Sequence, residues 1–241
     1  MPVIDVHTHV TPERYKEAIR TQGSWHGLGP KAGQLDWPGF VTPLPERLAE
    51  MDEIGVDMQL VTPTVGFYQY DNDLETTKTI ARDCNDEVGE MVEQYPTRFA
   101  GIATLPMQDI SAAVAELERV MLELKLKGVI VSDHVNGRTY DEPEFLPFFE
   151  AAEELTRPPS TYLDQFYYDC CTFSGPALRF LIDTVGIDRV MLGTDYPAPM
   201  VLIDAVDWVN GLDCLTAEEK DAILTKNPAA FLGLSPAEGE Q

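Results

Sequence analysis

The chain has 241 residues, with 41 acidic against 17 basic side chains and a formal net charge of −24. Such a surface repels phosphate backbones and anionic headgroups, which argues against nucleic acid and membrane surfaces as partners. An anionic small molecule would need local positive charge to offset the field, and a bound metal ion could supply it. Apolar residues make up 44% of the chain, enough for one sizeable core, and the length suits a single domain. The four cysteines, Cys84, Cys170, Cys171 and Cys214, form no Cys-x-x-Cys pair, and no run of about 18 apolar residues exists. With no basic region and apolar run at the start, the expectation is a cytoplasmic protein without a secretory leader.

In chain order, short β-branched runs predict strands at 3–7, 57–62, 99–104, 128–132, 166–170 and 190–194. Helical patterns fall between and after them, at 44–54, 74–95, 109–126, 144–155, 175–186, 201–210 and 216–226. The stretch before Gly128 shows the pattern: Val114, Leu117, Val120, Met121 and Leu124 recur at helical spacing, and Val129-Ile130-Val131 then starts a buried strand. Strands alternating with helices imply βαβ units on a parallel sheet, an α/β chain whose length suits a (β/α)8 TIM barrel. Residues 1–241 read as one such domain. Residues 21–45, rich in Gly, Pro and Trp and without periodicity, read as a long active-site loop after the first strand.

Six strand signals fall short of the eight that a closed barrel needs. The deficit has a place: the helix ending at Leu155 runs into Thr156-Arg-Pro-Pro-Ser160 with no strand following. About two βα units are therefore expected to be absent at the 155/156 junction. A barrel so interrupted would leave two strand edges unpaired unless something, such as a partner chain, covered them.

The chemistry concentrates at two strand ends. In Asp5-Val6-His7-Thr8-His9, alternation along a strand puts His7 and His9 on one face, about 6.6 Å apart. Two imidazoles so placed can converge on one metal ion, or can simply face solvent from an edge strand. In Leu192-Gly193-Thr194-Asp195-Tyr196-Pro197 an apolar strand ends at an Asp, the place where barrel enzymes keep active-site residues. Asp195 could join the two histidines as a metal ligand and shuttle a proton, or could cap the turn before Pro197. Zinc suits three protein ligands with an open position; manganese suits the oxygen donor.

Other candidates are weaker. His134 and Asn136, after the fourth strand, either contact a substrate at the barrel mouth or form the Asn-Gly turn. His26 either lines a pocket from the long loop or is loop surface. Tyr68 either meets an aromatic substrate or packs. Cys170 and Cys171 point to opposite sides of a strand and read as structural thiols.

The stretches Asp5-Val-His-Thr-His9, Glu50-Met-Asp-Glu-Ile-Gly-Val56, Tyr95-Pro-Thr-Arg-Phe-Ala-Gly101, Thr104-Leu-Pro-Met-Gln108, His134-Val-Asn136, Gly193-Thr-Asp-Tyr-Pro197 and Asn227-Pro-Ala-Ala-Phe-Leu-Gly233 resemble the amidohydrolase superfamily, in particular its amidohydrolase-related decarboxylase branch. The resemblance implies a barrel with one divalent metal ion, usually zinc, held by His7, His9 and Asp195, and a homodimer. It implies non-oxidative loss of CO₂ from a small aromatic or unsaturated carboxylate. Other activities consistent with it are metal-dependent hydrolysis of a lactone or amide, and ligand binding without turnover. The family's third metal-binding histidine, after strand five, and its catalytic histidine, after strand six, have no counterpart here, since the four histidines are His7, His9, His26 and His134. The family's substrate-binding arginine in the first loop is also missing: Lys31 is the only Lys or Arg between Gln22 and Arg47.

Overall fold

In the computed structural model, residues 1–155 and 167–234 are described. The first strand, β1 (Ile4–Val10), pairs in parallel with β2 (Met58–Pro63), all six of whose residues are buried. β2 pairs in parallel with β3 (Phe99–Gly101). β4 (Ala103–Thr104) pairs with β5 (Val129–Ile130), and β6 (Tyr168–Asp169) with β7 (Val190–Met191), again in parallel. β3 and β4 are the two halves of the single strand expected at 99–104. The strand breaks at Ile102, whose N–H bonds back to Val61 O of β2 at 3.0 Å.

Three backbone hydrogen bonds seam β1 to the segment at and after β7. They are Val6 N to Leu192 O (2.9 Å), Asp195 N to His7 O (2.9 Å) and His9 N to Tyr196 O (2.6 Å). The strand order is therefore β5, β4/β3, β2, β1, β7, β6, which places the first and last strands side by side. Among the described residues no strand pairing joins β5 to β6. The arrangement is that of an α/β TIM barrel lacking about two βα units, with the break between β5 and β6. Thr156, and with it the predicted 155/156 junction, lies outside the described residues.

The helices pack on this sheet by their apolar stripes. α1 (Glu13–Gln22), α2 (Pro38–Val41) and α3 (Leu44–Glu53) come between β1 and β2. α4 (Leu74–Gln94) buries Thr77, Ile80, Ala81, Cys84, Asn85 and Val88, one helical face, and its Asp73 cap accepts from Thr76 N at 3.0 Å. α5 (Ile110–Leu122) is capped by Asp109 and buries Ala113, Leu117 and Val120. α6 (Leu146–Leu155), α7 (Gly175–Val185) and α8 (Ala205–Gly211) follow. α9 (Ala217–Asp221) opens on a Thr216/Glu219 capping box and runs through a π-turn into α10 (Asn227–Phe231).

Further sequence expectations change. α1 was not expected; Tyr15 is buried on it, and Ala18 and Ile19 of the same face pack with Trp25 and Phe67. The predicted long loop at 21–45 is correspondingly narrower, because α1 claims Thr21 and Gln22, α2 claims 38–41 and α3 starts at Leu44. Helix α8 also begins four residues later than the predicted 201–210, after a turn in which Leu202 N bonds Thr194 O.

Candidate metal centre

The β1–β7 seam determines where the functional side chains meet. β1 carries a register irregularity between Asp5 and Thr8, and the rings of His7 and His9 project from this stretch with centroids 5.3 Å apart, edge to face. Asp195 follows β7 in a left-handed conformation (φ 63°), a backbone state uncommon for residues other than Gly and better tolerated by Asp than by most. Its Oδ1 lies 3.2 Å from His9 Nε2 and 3.6 Å from His7 Nε2. All three donor atoms fall within 4.8 Å of one another. Tetrahedral ligands at about 2.1 Å from an ion are roughly 3.4 Å apart, so the trio has the spacing and the N₂O donor set that a divalent cation requires. The three side chains are 11–35% exposed, which leaves one side of the site open.

Around the trio lies a polar frame. Asp169, at the end of β6, accepts from His7 Nδ1 at 2.9 Å through Oδ2, while its Oδ1 accepts from Cys171 N at 2.9 Å. The bond to Asp169 is the main cause that raises the His7 pKa above its usual value. Burial pushes the Asp169 carboxyl upward, but its bonds to His7 and Cys171 outweigh that and hold it below the usual carboxylate range. Fully buried Asp5 bonds Thr194 Oγ1 (2.6 Å), Thr194 N (3.1 Å) and His7 N (3.2 Å), and burial raises its pKa to about 7.

Arg47, on α3, is the other buried ion of the frame. It donates to Gln59 Oε1 (2.8 Å), His9 O (2.8 Å) and Thr8 Oγ1 (3.2 Å), and its guanidinium lies over the Tyr196 ring at 4.7 Å. Burial lowers its pKa to about 10. Tyr196 in turn bonds Glu50. Burial raises both Cys170 and Cys171 to about 12, so neither is a thiolate nucleophile near neutral pH.

The remaining sequence candidates make their contacts elsewhere. His134 pairs with Asp133 at 2.7 Å on an exposed loop. Asn136 donates to Tyr70 O at 2.7 Å from the left-handed position of its turn. His26 pairs with Asp83 at 2.8 Å and lies against Trp25. Tyr68 is buried and stacked with Tyr70, their centroids 5.8 Å apart. Among the described residues, these contacts do not include His7, His9 or Asp195. A cavity of about 300 Å³ borders His9 and Arg47, with most of its wall coming from α1, α3 and α4.

The sequence reading did not single out Asp169, Asp5 or Arg47. Asp169 had a visible signal, since it ends a predicted strand just as Asp195 does. Arg47 had none, because its partners lie 12 to 39 residues away.

Parallel strands closed through a β1–β7 seam, with two imidazoles and a carboxylate at its lip, define a metal-binding barrel protein. The family model for amidohydrolases matches residues 4–159 and 155–234, and the chain belongs to that family. Its two matched segments meet at the place where the strand count falls short. Among relatives, 2-amino-3-carboxymuconate-6-semialdehyde decarboxylase of Dictyostelium discoideum is 23% identical over 97% of this chain and 92% of its own length. That alignment spans 330 positions against about 234 residues of this chain, so roughly a hundred positions have no counterpart here. A crystal structure of 5-carboxyvanillate decarboxylase from Sphingomonas paucimobilis superposes with a TM-score of 0.79 at 22% identity, covering 97% of this chain and 99% of that one. A dihydroxybenzoic acid decarboxylase from Polaromonas sp. JS666, solved with bound manganese and the inhibitor 2-nitroresorcinol, gives a TM-score of 0.78 at 20% identity, with 98% of both chains covered.

Proposed function

We propose that this protein is a metal-dependent non-oxidative decarboxylase of a small aromatic or unsaturated carboxylic acid. The observation that carries the reading is the convergence of His7 Nε2, His9 Nε2 and Asp195 Oδ1 at cation-binding distances, in a family whose similar members bear decarboxylase names. His7, His9 and Asp195 would hold the ion, with zinc as the first choice and manganese as the second. The ion, when bound, supplies Lewis acidity and a positive anchor for a carboxylate in an otherwise acidic protein. With Oδ1 on the ion, the other carboxylate oxygen of Asp195, Oδ2, would be the one to hold or pass a proton. Arg47 holds the His9 backbone, and Asp5 holds Thr194 next to Asp195, so neither ligand strand can shift independently. The same reading includes a homodimer and a cytoplasmic location. His134, Asn136, His26 and Tyr68 belong to it as substrate contacts from the loops.

A second reading is a relative that binds the ion and a ligand without turnover. It is favoured by the histidine count: beyond His7 and His9 the chain has only His26 and His134, paired with Asp83 and Asp133. Metal analysis of the purified protein and a CO₂-release assay separate the two. Release of CO₂ from 5-carboxyvanillate or a dihydroxybenzoate, dependent on added zinc or manganese and lost in Asp195→Ala, supports the decarboxylase. One bound ion with no turnover on a broad panel of such acids favours the binding protein.

A further inference from the structure

We infer that Asp169 is a positioning residue: its carboxylate holds the His7 ring in the tautomer that leaves Nε2 free for a divalent cation, and so sets how tightly the centre holds that ion. The inference rests on the metal-site reading and extends it to a residue which that reading does not use.

A neutral imidazole carries one N–H and one lone pair. Asp169 Oδ2 lies 2.9 Å from His7 Nδ1, and an ionised carboxylate can only accept. The proton is therefore on Nδ1, and the lone pair is on Nε2, the nitrogen that faces Asp195. His9 has no such device. Its Nδ1 is buried and has no hydrogen-bond partner among the described residues. One imidazole of the pair is thus locked by a carboxylate and the other is not.

The lock is itself held in place. Asp169 is in register with Met191 across the β6–β7 ladder, and its second oxygen is taken by the Cys171 amide. Gly193 makes room for the contact. A Cβ there would come within 2.6 Å of Asp169 Cβ and 3.0 Å of His7 Cβ. Three strands and a glycine therefore converge on a single hydrogen bond.

This geometry makes an isosteric change informative. Asp169 accepts from two donors, one on each oxygen. Asn offers one acceptor and one donor, so one of the two bonds must fail. If its oxygen stays with Cys171 N–H, its NH₂ faces His7 Nδ1 and selects the tautomer with the proton on Nε2, which cannot ligate. If it flips, two N–H groups face each other at Cys171. A residue serving only to fill space would tolerate Asn almost silently.

The test measures the dissociation constants of zinc and manganese ions for the wild type, Asp169→Asn and Asp169→Ala, by competition with a chromophoric chelator. Circular dichroism and melting of the ion-free proteins run alongside. The expected result is a loss of affinity of about 10- to 100-fold in both variants, with Asn no better than Ala. Folded Asn and Ala variants that both bind within about twofold of wild type overturn the inference while leaving the metal site standing. A wild type that binds neither ion removes the metal-site reading, and this inference with it. Should the variants fail to fold, ¹⁵N shifts of the His7 ring in ion-free wild type, read at a pH where the ring is neutral, decide: a proton on Nδ1 with Nε2 bare supports the lock, and the reverse refutes it.

Discussion

Replacing Arg47 with Ala tests whether the frame behind the metal centre is held electrostatically. The guanidinium makes three buried hydrogen bonds, to Gln59 Oε1, His9 O and Thr8 Oγ1. At about 2 kcal/mol for each charged bond, these amount to about 6 kcal/mol. Its stacking over Tyr196 adds about 1 kcal/mol. Against this stands the cost of burying the charge, visible as the fall of its pKa from 12.5 to about 10. The expected net loss is about 4 kcal/mol, in the range found when one partner of a buried ionic network is deleted. Urea denaturation of the ion-free protein would show it as a lower midpoint at unchanged slope. Because Arg47 holds the His9 carbonyl, zinc affinity should fall in the same variant. A stability change below about 1 kcal/mol with normal zinc binding would refute the reasoning.

Other outcomes follow from the same geometry. Asn85 joins α4 to β4 and α5 by giving Nδ2 to Thr104 O and Glu116 and taking Thr104 N at Oδ1. Asn85→Ala leaves both Thr104 backbone groups buried and unpaired, at about 2–4 kcal/mol in thermal or urea unfolding. For Asp5, the folded-state pKa of about 7 lies above the ordinary 3.8, so between these values the native protein holds a proton that the unfolded chain has released. Its contribution to stability is therefore complete below pH 3.8 and declines as pH rises to 7, by up to about 1.4 kcal/mol per pH unit. Asp5→Asn lacks that decline, and a stability difference between wild type and variant that stays flat from pH 4 to 7 would count against the assignment. Zinc at a hundred times its dissociation constant should stabilise the wild type by about 2.7 kcal/mol, and EDTA should reverse the effect. Asp195→Ala should show neither response.

How much of this was legible in the sequence depends on how far each residue's partners lie. His7, His9 and Asp195 could be found because strand alternation and strand ends are local patterns, and closure of the barrel does the rest. The strand–helix alternation and the shortfall after Leu155 were legible for the same reason. Helix α1 was not, since its buried face is only Tyr15 with Ala18 and Ile19 beside it, in an otherwise polar and charged ten-residue helix. The break at Ile102 was hidden because it falls where the strand passes from pairing with β2 to pairing with β5, which depends on the neighbours and not on the local sequence. Asp169 stood at a strand end where the sequence could have flagged it, but its partner His7 lies 162 residues away, a distance no local pattern records. The motif around Tyr168 drew attention to its two cysteines, whose raised pKa values now mark them as inert near neutral pH.

The proposed cation ligands are far apart in the chain, His7 and His9 on the first strand and Asp195 after the last, and they meet on the seam that closes the one against the other. An ion held there would act as a clasp. It would tie β1 to the segment that follows β7 and oppose every opening of the sheet along that line. The stretch where strands are lacking lies between β5 and β6, so the three side chains of the clasp all sit on or beside strands that remain. Selection for a fold that holds together could then preserve His7, His9 and Asp195 whether or not a substrate is ever turned over.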